Sequence, residues 1–123
     1  MFKRSIAMLA ATAGLAGAGL LAAPAAHAAP PAGCSSGALC AYWLTGYQGS
    51  VQRVWEDNDD LTMYTNFYNI VGGSLFNNGN QCNVTVYSGK GGTGSGYNLN
   101  RGTGWKSVGS NLPHISSNYW CRS

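Results

Sequence analysis

The sequence predicts an all-β fold made of two repeated four-stranded units and held by two disulfides. Three observations predict it. Past residue 28 the chain is dense in glycine, asparagine and aromatic residues and has few Leu, Glu, Lys or Ala at helical spacing, a composition of strands and turns. Short apolar runs, one alternating with period two, flank glycine-bearing turns in the pattern of hairpins. Set against itself at an offset of 45, the chain places Tyr42 on Tyr87, Gly46 on Gly91, Gly49 on Gly94, Ser50 on Ser95 and Val54 on Leu99, the mark of an internal repeat.

The elements follow in order. Of the 123 residues, 1–28 read as an export signal: a basic start at Lys3 and Arg4, an Ala/Gly/Leu-rich apolar run from Ser5 to Ala23, and a small-x-small ending at Ala26-His27-Ala28, with cleavage before Ala29. Secretion is therefore expected, with no membrane segment once the signal is removed. Residues 29–33 form a Pro/Ala leader expected to be disordered, and 34–123 form one small domain. Leu39 to Trp43 and Ser50 to Trp55 flank the turn Leu44 to Gly49, a first hairpin. Glu56 to Asp60 is acidic, and Leu61 to Tyr68 is readable as an extended segment or as a short irregular helix. Ser74 to Phe76 precedes the turn Asn77-Asn78-Gly79-Asn80. Cys82 to Tyr87 alternates, Ser88 to Gly96 is a glycine-rich turn, and Tyr97 to Leu99 closes a second hairpin.

All four cysteines, Cys34, Cys40, Cys82 and Cys121, lie after the signal, and an exported chain meets an oxidising compartment, so two disulfides are expected. Sequence alone leaves three connectivities open. The favoured one closes a short loop between Cys34 and Cys40 and ties Cys82 to Cys121. On chain-entropy grounds the short loop is worth about 2 kcal/mol and the long one about 4 kcal/mol. A structural zinc is disfavoured because CxxC ligand pairs are absent.

The repeat has a physical rationale. An aromatic at a strand end can pack on a hairpin whose glycine takes positive φ, while a later serine, Ser74 in the first unit and Ser117 in the second, bonds the backbone of the folded-over turn. Tyr42-x-x-x-Gly46-x-x-Gly49-Ser50 with Ser74, and its echo from Tyr87 to Ser117, resembles the two Greek keys of a βγ-crystallin domain. The opening Cys34-x5-Cys40-Ala41-Tyr42, with Gly49-Ser50-Val51-Gln52, Cys82 to Tyr87 and Ile115 to Cys121, resembles the Streptomyces-type metalloproteinase inhibitor family of secreted actinobacterial proteins. The resemblance implies a βγ-crystallin-like Greek-key β-sandwich. It further implies an inhibitor of extracellular, thermolysin-like metallopeptidases; a monomer without cofactor, docking a rigid loop in the active-site cleft, is expected.

One departure bears on the site. In the inhibitor for which that family is named, the reactive bond sits in a loop held by a second short disulfide, and this chain has no second short cysteine pair, so the inhibitory residues do not carry over. The resemblance implies that the target accepts a bulky apolar residue after the scissile bond. Trp43-Leu44 and Asn111-Leu112 are the turn candidates, with Leu44 favoured because Pro113 after Leu112 misfits an extended substrate-like backbone. Read from sequence alone, packing of each leucine under its own turn is the favoured alternative.

Other chemistries fare worse. After the signal, five cations (Arg53, Lys90, Arg101, Lys106, Arg122) face four acids (Glu56, Asp57, Asp59, Asp60), too little positive charge for a nucleic-acid surface. Crystallin-type calcium positions look degenerate, with Leu112-Pro113 ahead of Ser116-Ser117. The acidic run lacks the glycine and glutamate of an EF-hand loop, and reads as a solvated loop with no metal. His114 is the one histidine after the signal, no nucleophile and base pair stands out, and all acids lie within five residues, so no catalytic residue and no enzyme are expected. The alternative is a cell-wall or polysaccharide-binding, or antifungal, crystallin-like protein working through Trp43, Trp55, Trp105 and Trp120. Four buried tryptophans would remove that surface.

Overall fold

The computed structural model describes residues 29–122; the export signal expected at 1–28 lies outside them. The strands are β1 (Leu39–Leu44), β2 (Gln48–Val54), β3 (Ser74–Asn77), β4 (Val84–Tyr87), β5 (Gly96–Leu99), β6 (Gly104–Trp105) and β7 (Ser117–Trp120), with one helical turn, α1 (Thr65–Tyr68). They form two antiparallel sheets, ordered β2-β1-β3-β6 and β5-β4-β7.

Both expected hairpins form. In the first, Leu39 pairs with Val54 and Tyr42 with Val51; in the second, Val84 pairs with Leu99 and Tyr87 with Gly96. The closing strands sit on the other side of β1 and β4: Tyr42 pairs with Ser74, and Tyr87 with Ser117. The third strand of each unit crosses to the partner unit. β6 pairs with β3, Leu75 opposite Trp105, while Asn58 of the first unit bridges to Asn118 in β7. This reciprocal crossing is Greek-key connectivity, and it ties the two units together by backbone pairing.

The alternating residues of the strands separate two apolar clusters. Leu39, Ala41, Val54 and Leu75 face Val84, Val86 and Leu99 across the sandwich, with Phe67, Ile70, Leu112 and Ile115 added from the connections. On the outer face of the first sheet, Cys40, Tyr42 and Phe76 pack with Cys34 and Ala38. The favoured connectivity is present: Cys34 joins Cys40 within this outer cluster, and Cys82 joins Cys121 at the ends of the second sheet. The end of the leader is bonded to the sheet, since Tyr42 Oη donates to Ala32 O at 2.7 Å and Arg53 Nη1 to Gly33 O at 2.8 Å.

The segment left open in the sequence becomes one helical turn, which Asn66 joins to the first hairpin. The buried Asn66 Nδ2 donates to Ala41 O (3.0 Å) and Ser50 O (2.9 Å), and its N–H donates to Gln52 Oε1. These bonds fasten α1 across the first hairpin, satisfying backbone groups that would otherwise be buried without partners.

Candidate functional site

The two turns, 45 residues apart in the chain, are closed by the same three kinds of hydrogen bond. In the first, buried Ser74 Oγ donates to Leu44 O at 2.7 Å and accepts the Tyr47 N–H at 2.9 Å. In the second, buried Ser117 Oγ donates to Gly89 O at 2.7 Å and accepts the Gly92 N–H at 3.0 Å. The third bond comes from the crossing strand of the other unit: Gly46 N–H to Lys106 O, and Gly91 N–H to Asp59 O, both at 2.8 Å. Positive φ occurs at matching places, Gly46 and Tyr47 (69° and 60°) against Gly91 and Gly92 (64° and 74°). Tyr47 bears the strain of a left-handed non-glycine residue because its ring packs edge-on to both Tyr42 and Phe76, each at 5.7 Å.

The turns differ in what they display. The first presents Trp43 and Leu44, 46% and 50% exposed, on a backbone held by β1, Ser74 and Lys106. The second has Ser88 and Gly89 in those places, and a Cβ on Gly89 would meet Thr93 Oγ1 and stand 3.0 Å from Thr93 O. Of the two leucine candidates only Leu44 reaches solvent: Leu112 is 5% exposed and belongs to the central core. Sequence reading missed Met63, at 89% the most exposed large apolar side chain among the described residues. It sits in a tight bend where Asp60 Oδ1 accepts both the Thr62 N–H and its hydroxyl.

The acidic run serves as a set of structural acceptors. Asp57 Oδ1 accepts the Trp120 N–H at 2.8 Å, and Asp59 accepts the Tyr119 hydroxyl. That bond to Asp59, followed by desolvation, pushes the Tyr119 phenol above its ordinary pKa, while the Thr62 hydroxyl and N–H hold the Asp60 carboxyl below the usual carboxylate range. His114 stacks on Tyr68 at 4.1 Å with Nδ1 2.8 Å from Tyr68 O. No group of three His, Cys, Asp or Glu side chains among the described residues is placed to hold a metal ion. Trp43 and Trp55 are exposed, whereas Trp105 and Trp120 are partly buried against the core.

A family model described as peptidase inhibitor family I36 matches residues 27–99, more than half of the chain. Solved structures share the fold. One from work on the evolution of the eye-lens βγ-crystallin domain superposes with a TM-score of 0.61 at 14% identity, covering 75% of this chain and 93% of that one. IPSE/alpha-1 from Schistosoma mansoni eggs gives 0.57 at 22%, covering 71% and 87%, and a βγ-crystallin from Ciona intestinalis gives 0.55 at 18%, covering 68% and 99%. At these identities the likeness concerns the fold alone, and it agrees with the Greek-key sandwich read from the repeat. No curated protein sequence matches this chain.

Proposed function

The chain belongs to peptidase inhibitor family I36, and from that premise we propose that it is a secreted inhibitor of extracellular, thermolysin-like metallopeptidases which presents its first hairpin turn to the active-site cleft. Family membership makes it a peptidase inhibitor and not an enzyme. The metallopeptidase target, the secreted location and the docking turn are the proposal.

One observation carries the choice of turn. The same three-bond closure occurs twice, and only the first copy places a half-exposed apolar pair, Trp43-Leu44, on it. Folding does not need two apolar side chains left in water, whereas a cleft that takes a bulky apolar residue gives them a place to be buried. A turn already fixed by Ser74, Lys106 and the Tyr42-Tyr47-Phe76 rings loses little conformational entropy on docking, which favours tight association.

The test is titration of a thermolysin-type metallopeptidase and a subtilisin-type serine peptidase with the oxidised protein, alongside a reduced and alkylated control. Stoichiometric inhibition of the metalloenzyme alone, lost on reduction, is the expected result. Inhibition confined to the serine peptidase would overturn the target class, and inhibition that survives reduction would overturn the rigid-turn mechanism.

A further inference from the structure

Trp55 stands half-exposed at the end of β2, on the ridge between two concavities. The larger, a cleft of about 400 Å³, is lined by Trp55, Glu56, Asp57, Asn80, Gln81 and Trp120. The smaller, about 200 Å³, lies on the other flank against Arg53, Asn58 and Tyr64. We propose that the Trp55 cleft is a carbohydrate-binding site that takes an uncharged or amino-bearing pyranose unit of a polysaccharide, apart from the hairpin that engages the peptidase.

The polar groups of the cleft are fixed by one atom and open at the other. Ser36 organises two of them: its carbonyl accepts the Trp55 Nε1–H at 3.2 Å, and its hydroxyl donates to Asn80 Oδ1 at 3.0 Å. The indole is thereby held in orientation, and the Asn80 NH2 is left as a donor. Gly37 permits this arrangement, since a Cβ there would stand 3.2 Å from Asn80 Nδ2 and 3.4 Å from Trp55 Cδ1. On the opposite wall Asp57 Oδ1 is taken by the Trp120 N–H, leaving Oδ2 as an acceptor. Trp120 lines the same cleft, with its ring packed against the central core.

A sugar ring matches these features together. A pyranose has an apolar C–H face that suits an immobilised indole, and a rim of vicinal hydroxyls that suits a donor amide beside an acceptor carboxylate. The cleft volume falls within the range of about 300–1,000 Å³ usual for small-ligand sites. Charge narrows the class further. The cleft walls carry Glu56 and Asp57 and no cationic side chain, so a glycan bearing carboxylates or sulfates is repelled and a neutral or amino-bearing one is accepted. Docking of a basic peptide on the same acids and rings is the competing occupant, and the test separates it.

The experiment measures retention of the oxidised protein on insoluble chitin and cellulose, and tryptophan fluorescence on titration with chitohexaose, cellohexaose, chitosan oligomers, a polyanionic glycan and oligolysine. Expected are retention, or a saturable fluorescence change, with neutral or amino sugars and none with the polyanion. Response to the soluble oligomers identifies single-chain recognition, and retention on the solids alone identifies a polymer surface; either supports the site. Trp55→Ala should weaken binding at least about tenfold. Asn80→Ala, at an exposed side chain whose loss leaves the indole in place, should weaken it about threefold to tenfold with an unchanged melting curve, and it decides the matter if Trp55→Ala fails to fold. Peptidase inhibition by both variants should match wild type, and Leu44→Ala should bind glycan normally, so failure here is distinguishable from failure of the inhibitor reading. No binding to any neutral or amino glycan, equal binding by wild type and Asn80→Ala, or saturable binding of oligolysine alone would overturn the proposal.

Discussion

The turn at Leu44–Tyr47 and the turn at Gly89–Gly92 share their hydrogen bonds and differ in their side chains. Each is closed by a buried serine and tied by a glycine N–H to the strand arriving from the other unit. Yet residue 44 has room for a leucine that leans over Gly49, whose Cβ would stand 3.1 Å from Leu44 Cγ, whereas residue 89 has Thr93 packed where a side chain would begin. The closing serines, glycines and crossing strands answer to folding, because both copies need them. Trp43 and Leu44 are not part of that shared requirement, because only one copy has them.

The largest expected effect breaks the symmetry at the crossing strands. A Cβ at Gly104 would collide with the Tyr47 hydroxyl and stand 2.7 Å from both Leu75 O and Phe76 Cδ1, so Gly104→Ala should cost about 3 kcal/mol. Asn58→Ala, at the matching crossing, loses side-chain bonds to Glu56 O and Asn118 Oδ1 and should cost about 1–2 kcal/mol; urea denaturation compares them. Next are the serines. Ser74→Ala and Ser117→Ala each remove two bonds from a buried hydroxyl and should destabilise by a similar amount, about 2 kcal/mol. Only Ser74→Ala should also weaken peptidase inhibition, measured at a temperature where both variants remain folded. Gly92→Ala places a Cβ 3.1 Å from the Tyr119 ring at φ 74° and should cost about 1 kcal/mol, read from the same denaturation curves. The smallest effect is in pH. Because the folded Asp60 carboxyl is held below its ordinary pKa, the stability it adds is present above that ordinary value and lost as pH falls through the lowered one. Thr62→Ala should flatten the acid limb of a stability–pH curve.

Much of this was legible in the sequence because it repeats. The offset of 45 aligned both turns and both hairpins, a two-residue gap brought Ser74 onto Ser117, and the cysteine spacing favoured the pairing observed. The crossing strands were not legible. β6 is a two-residue Gly104-Trp105 pair in a Gly/Ser-rich stretch, and its counterpart is a single asparagine within an acidic run, so neither carries a period that could mark a strand. Exposure was also hidden. Leu44 and Leu112 look alike in sequence, and their fates divide only because the loop carrying Leu112 folds back onto the core while the end of β1 runs past its neighbours into solvent. Nothing in the sequence around Met63 and Trp55 marks their exposure, and the structure places both at the surface.

The role proposed for the first turn is tested by the inhibition constant of Leu44→Ala against a thermolysin-type metallopeptidase, measured beside wild type and Met63→Ala with their thermal melts. Leu44→Ala is expected to weaken inhibition by about thirtyfold, the scale of losing a buried apolar anchor, without lowering the melting temperature, while Met63→Ala inhibits as wild type. Undiminished inhibition by Leu44→Ala, or a loss found in Met63→Ala instead, would contradict it.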